Sequence, residues 1–137
     1  MKQVRGYIFS REFMGERVPQ HVQNLVIRDF CQKNGLAYLL SATEYAMQGC
    51  QLILDQVLGD LDDISGIAAY SLYQLPTDEL KRSVVYDRIL SQKKTIYFAV
   101  EGLRLESAED VERIETLWKV RTTLPNCYKA QEQEWKN

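Results

Sequence analysis

Short apolar runs alternate along this chain with longer segments of helical period. Val4-Arg5-Gly6-Tyr7-Ile8-Phe9-Ser10 is an apolar run closed by a hydroxyl and predicts a strand over about Arg5–Ser10. A charged loop from Arg11 to Arg17 follows, and Val18-Pro19-Gln20 opens a helix that Gly35 ends. In that helix Val22, Leu25, Val26 and Phe30 have the spacing of one buried face, and the same period brings Asp29 into it. Leu36–Ser41 reads as the second strand. A loop through Thr43, Glu44, Tyr45 and Gly49 leads to a helix of about Gln51–Leu61, with Leu54, Val57, Leu58 and Leu61 facing inward. Gly66–Ser71 is the third strand. Pro76 and Thr77 start a helix that runs to about Gln92, with the Thr77 hydroxyl as its cap. Thr95–Val100 is the fourth strand. Ser107 and Asp110 have the form of a capping box before a helix that carries Val111, Ile114, Leu117 and Trp118 on one face, with Pro125 as its stop.

Four strand–helix units in succession predict an α/β fold: a three-layer α/β/α arrangement around a four-stranded parallel sheet. Right-handed crossovers favour the order 2-1-3-4, flavodoxin- or resolvase-like, with the switch point between strands one and three. A single domain is expected over residues 1–125, followed by a polar tail over 126–137. The apolar residues of the third helix, Leu80, Val84, Val85, Tyr86, Ile89 and Leu90, cover more than half its circumference. A surface helix of a monomer normally shows a narrower stripe, so a homo-oligomer is expected.

At 137 residues the chain suits one compact domain, and its formal net charge of −2 lacks the basic excess typical of duplex-DNA binders. The expectation is therefore no nucleic-acid partner. No secretion signal or membrane-length apolar stretch is present, which reads as cytoplasmic with no membrane partner. Cys31, Cys50 and Cys127 are widely spaced and predict reduced thiols rather than a zinc site or disulfides. His21 is the sole histidine, and no metal or cofactor is expected. Gly-x-Gly-x-x-Gly, Gly-Lys-Ser/Thr and Gly-x-Ser-x-Gly signatures are absent.

In open sheets of this kind, ligands bind beyond the carboxyl ends of the strands at the switch point. That rule selects Ser10, Arg11 and Arg17 after strand one, and Gln20 and His21 at the first helix start. It also selects Ser71, Tyr73 and Gln74 after strand three, Glu44 after strand two and Glu101 after strand four. Arginine grips phosphate and carboxylate through paired hydrogen bonds, so Arg11, Arg17, Gln20, Ser71, Tyr73 and Gln74 form an expected anion site. Ser10, His21, Glu44 and Glu101 are the candidates for catalysis. His21, the sole imidazole, is the default acid–base group.

The runs Arg5–Arg11, Arg17-Val18-Pro19 and Val22–Asp29, with Glu44, Gly66-Ile67, Ser71 and Leu75-Pro76, resemble the sporadic carbohydrate cluster proteins. That resemblance extends from about Arg5 to about Lys119. It implies a role in bacterial surface-carbohydrate biosynthesis, of lipopolysaccharide, O-antigen or capsule. The expected protein is then a small enzyme acting on a sugar phosphate or nucleotide sugar. The alternative is a non-catalytic partner or ligand-binding subunit of a carbohydrate-pathway enzyme. A second resemblance is to the catalytic domain of serine recombinases, whose first strand carries a tyrosine and ends in a serine, as Tyr7 and Ser10 do here. The arginine expected beside that serine is replaced by Ile8 and Phe9. The arginine-bearing segment after strand three is replaced by Tyr70–Pro76. This second resemblance therefore implies a shared fold without DNA cleavage.

Overall fold

A computed structural model describes residues 1–47 and 49–136, with side chains described to residue 123. The chain divides into two compact units, Met1–Glu106 and Ser107–Asn137.

The first unit is an α/β layer structure. Its elements are β1 (Lys2–Phe9), α1 (Gln20–Lys33), β2 (Leu36–Glu44), α2 (Leu52–Gly59), β3 (Gly66–Ala69), α3 (Glu79–Ser91), β4 (Thr95–Phe98) and β5 (Leu103–Leu105). The sheet order is β2-β1-β3-β4-β5. β1 to β4 pair in parallel in the expected 2-1-3-4 order, and β5 adds an antiparallel edge strand beside β4. The chain steps one way from β1 to β2 and the other way from β2 through β3 to β4. Right-handed crossovers then put α1 on one face of the sheet and α2 and α3 on the other.

The α1 face is packed by Val4, Ile8, Ile27, Cys31, Leu36, Ala68 and Tyr97. The buried side of α1 is Gln23, Ile27 and Cys31, rather than the Val22–Leu25–Val26–Phe30 stripe the apolar spacing predicts; Leu25 is 57% exposed. An amide at the inner face is tolerated because every polar atom of Gln23 finds a partner, as described below. Asp29 is exposed and pairs with Lys33 at 2.9 Å. On α2 the expected inward residues Leu54, Val57 and Leu58 are buried, as is Leu61 just beyond it. On α3, Val85, Tyr86 and Ile89 are buried while Leu80 and Val84 are exposed. Its cap is Asp78, whose carboxylate accepts from the Lys81 N–H, rather than Thr77. Cys31 is buried and Cys50 partly so; the Cys127 side chain lies outside the described residues.

β2 runs three residues beyond the expected Ser41 and ends at Glu44, which places that carboxylate in the sheet rather than a loop. Its pairing with β1 shifts register between Arg5 and Tyr7, at Gly6. A Cβ on Gly6 would stand 2.2 Å from the Ser41 Oγ, so only glycine lets the strands approach there.

The second unit is α4, one helix over Ala108–Lys136. At its start the Asp110 carboxylate accepts from the Ser107 N–H and hydroxyl, which is the half of the expected capping box in which the acid reaches back. The stop expected at Pro125 does not occur. A mid-helix proline removes one N–H and crowds the carbonyl four residues earlier, a cost of about 3 kcal/mol, without forbidding helix on both sides.

Candidate functional site

The carboxyl ends of β1 to β4 gather most of the polar residues singled out in the sequence, and the structure divides them into two sets.

The first set is consumed by internal hydrogen bonds. Gln23 on α1 uses its whole amide. Its Oε1 accepts from the Phe9 N–H at 2.9 Å and from Gln74 Nε2 at 2.8 Å, and its Nε2 donates to the Phe9 and Val18 carbonyls at 2.9 and 2.8 Å. Gln74 in turn accepts from the Ser71 N–H at 3.4 Å. Ser71 caps the short 3₁₀ turn Leu72–Gln74 and donates its hydroxyl to Glu101 Oε2 at 2.8 Å; Glu101 Oε1 accepts from the Leu72 N–H at 2.9 Å. These bonds tie the ends of β1, β3 and β4 to α1.

Glu44 belongs to the same class. It is 0% exposed, and both carboxylate oxygens are engaged. Oε2 accepts from the Tyr7 hydroxyl at 2.9 Å and the Leu54 N–H at 3.0 Å, and Oε1 from the Tyr45 and Ile53 N–H groups at 3.2 and 3.1 Å. The carboxylate thus serves as a remote cap for α2, where first-turn N–H groups and the helix dipole favour an anion. Burial first, and then the facing Glu44 charge and hydrogen bond, push the Tyr7 phenol far above its ordinary range, so it stays a donor.

The second set opens to solvent. A cavity of ≈ 390 Å³ is lined by Phe9, Ser10, Arg11, Arg17, Val18, Pro19 and Gln20. Ser10 donates its hydroxyl to the Glu44 carbonyl at 2.6 Å. Arg11 donates to the Tyr45 carbonyl at 2.8 Å, and its guanidinium lies 4.1 Å over the Phe9 ring centroid. That contact fixes the cation at the rim. Arg17 is exposed and makes no ion pair or hydrogen bond among the described residues. Pro19 at the start of α1 gives no side-chain cap, and the first turn holds no acid. The lining carries two guanidiniums, a hydroxyl, an uncapped helix start and no carboxylate, which is the composition of an anion site. His21 is exposed and does not line the cavity.

A second cavity of ≈ 190 Å³ shares Phe9 and Arg11 with the first. Its lining also includes Glu12, Phe13, Met14, Gln51, Tyr73, Leu75, Thr77, Asp78 and Lys81. Of these, only Arg11 and Tyr73 are residues the sequence rule selects. The loop that carries Phe13 turns back on itself, with Phe13 and Glu16 exchanging backbone hydrogen bonds of 2.9 and 3.0 Å. Phe13 meets Phe9 and Tyr70 edge-on at 5.7 and 6.0 Å. The Tyr70 phenol is raised by burial and then by Glu16 and Glu101. The signal for this cavity in sequence is faint: aromatics spaced along one charged loop and polar residues on two distant segments. Among the described residues no cluster of three His, Cys, Asp or Glu side chains could hold a metal, and no helix is long and apolar enough to cross a membrane.

No protein-family model and no curated protein matches the chain. Solved structures do match in fold. A resolvase family site-specific recombinase from Streptococcus pneumoniae superposes with a TM-score of 0.63 at 8% identity, covering 97% of each chain. The N-terminal catalytic domain of TP901-1 integrase superposes with a TM-score of 0.60 at 14% identity, covering 93% of this chain and 98% of that one. The fold is thus that of the resolvase catalytic domain, as the second sequence resemblance implies. The expectation of a surface-carbohydrate enzyme or pathway partner is corrected by this finding, since these two structures that share the fold are a site-specific recombinase and an integrase catalytic domain and no family model supports the carbohydrate family. The expectation of a sugar-phosphate or nucleotide-sugar partner and of no nucleic acid is corrected on the same ground. That exclusion rested on net charge, which averages over the surface and is blind to one local cluster of cations.

Proposed function

We propose that this chain is a nucleic-acid-binding domain on the resolvase fold, in which the cleft of Ser10, Arg11 and Arg17 takes a backbone phosphate. The observation that carries the reading is the composition of that cleft, with two guanidiniums and an uncapped helix start and no acid. The fold's neighbours, a site-specific recombinase and an integrase catalytic domain, direct the choice of anion toward a phosphodiester.

The reading is one of binding rather than strand cleavage. A serine that attacks phosphorus must lose its proton to a base. The acceptor that holds the Ser10 hydroxyl is the Glu44 backbone carbonyl, and a carbonyl cannot take that proton. The Glu44 carboxylate is occupied elsewhere, and His21 stands outside the cleft. Ser10 then serves as a hydrogen-bonding group beside the phosphate.

Fluorescence anisotropy with a labelled oligonucleotide, titrated over a range of salt, tests the proposal. Binding should weaken with salt, and Arg17→Ala should lower the log–log salt slope by about 1, the share of one phosphate contact. Absence of binding at low salt, or an unchanged slope in Arg17→Ala, would overturn it.

A further inference from the structure

Building on the phosphate reading of the first cleft, we infer that the adjoining cavity receives an unpaired base, so that the ligand is single-stranded nucleic acid. The two cavities differ in chemistry. The first contains cations and no acid, which suits a phosphate. The second is lined by Glu12 and Asp78 as well as by Arg11 and Lys81, so a second anion would meet carboxylates there. Its remaining lining sets aromatic and hydrogen-bonding side chains, Phe9, Phe13, Tyr73, Gln51 and Thr77, beside apolar Met14, Leu75 and Pro76. Such a lining matches a flat, neutral ring with donors and acceptors on its edge.

Arg11 joins the two. It borders both cavities, and its guanidinium is already held over Phe9. A guanidinium plane backed by an aromatic ring is a stacking platform for a base, and its N–H edge reaches a phosphate at the same time. A nucleotide spanning the shared wall would place its phosphate on one side of Arg11 and its base on the other. A duplex keeps its bases stacked and paired and cannot fill the second cavity without unstacking. The net charge of −2 also fits a short local contact better than one that tracks a duplex backbone.

The test compares three labelled ligands of equal length on the whole protein: a mixed-sequence single strand, its duplex, and an abasic strand. The single strand should bind about tenfold more tightly than either of the others, as one stacked base contributes. Tyr73→Ala and Gln51→Ala should bring the single strand toward the abasic level, with folding checked by thermal melting. Equal binding of all three ligands, or a single-strand preference that persists in both variants, overturns the base cavity and leaves the phosphate cleft standing. Binding of none of the three removes the phosphate reading as well.

Discussion

At the carboxyl ends of the same strands, the Gln23–Gln74–Ser71–Glu101 lattice and the Ser10–Arg11–Arg17 cleft use similar chemistry to opposite ends. In the lattice, Gln23 makes four hydrogen bonds and is 0% exposed. In the cleft, Arg17 makes none among the described residues and is exposed. Glu44 shows how thin the division is. Its side chain is spent on α2 and Tyr7, while its own backbone carbonyl holds the Ser10 hydroxyl at the cleft. A polar residue at a strand end becomes a candidate for binding only where the fold leaves its hydrogen-bonding capacity unspent.

Substitutions should separate the two regions by what they damage. The largest effect is expected at Gln23. Gln23→Leu leaves the buried Phe9 N–H and carbonyl and the Gln74 amide without their partner, and should cost about 3 kcal/mol or more of folding stability in chemical denaturation. A loss under about 1 kcal/mol would mean the lattice is not what joins α1 to β1.

Glu44→Gln comes next. It keeps the shape of the side chain but exchanges an acceptor-only carboxylate for an amide whose NH₂ faces donors, and should cost about 2 kcal/mol. The same pair governs the alkaline response. The folded-state phenol of Tyr7 is raised above its ordinary value of 10.0, so folding favours its protonated form. That contribution is complete below the unfolded value and is lost as pH rises beyond it, because the unfolded chain gives up the proton first. Stability should therefore fall as pH climbs above about 10, and Tyr7→Phe should flatten the slope measured by thermal melting. A profile identical to wild type would remove Tyr7 as its source. The smallest effect belongs to the cleft: Arg17→Ala should change stability by no more than about 0.5 kcal/mol while weakening binding.

The parallel core was legible in sequence because four apolar runs and three intervening helices, joined by right-handed crossovers, leave few arrangements. β5 was not, since Leu103-Arg104-Leu105 is too short for alternation to register against its surroundings. The inner face of α1 was misread because apolar periodicity cannot score a buried glutamine. Gln23 shares the four-residue spacing of Ile27 and Cys31, but it is recognisable as core only once Phe9 and Gln74 are seen opposite it. The same limit applies to the site. The strand-end rule found Ser10, Arg11, Arg17 and Gln20, which line one cavity. It could not separate them from Glu44, Ser71, Gln74 and Glu101, because most of their internal partners lie well away along the chain, as far as 51 positions for the Gln74–Gln23 pair.

The most direct test of the central claim is the backbone amide spectrum of isotope-labelled protein, followed while an oligonucleotide is added. The account predicts that shifts concentrate on Ser10, Arg11, Arg17, Gln20 and His21, with Leu103–Leu105 unmoved. An unchanged spectrum at saturating oligonucleotide, or shifts confined to segments away from the β1–α1 junction, would contradict it.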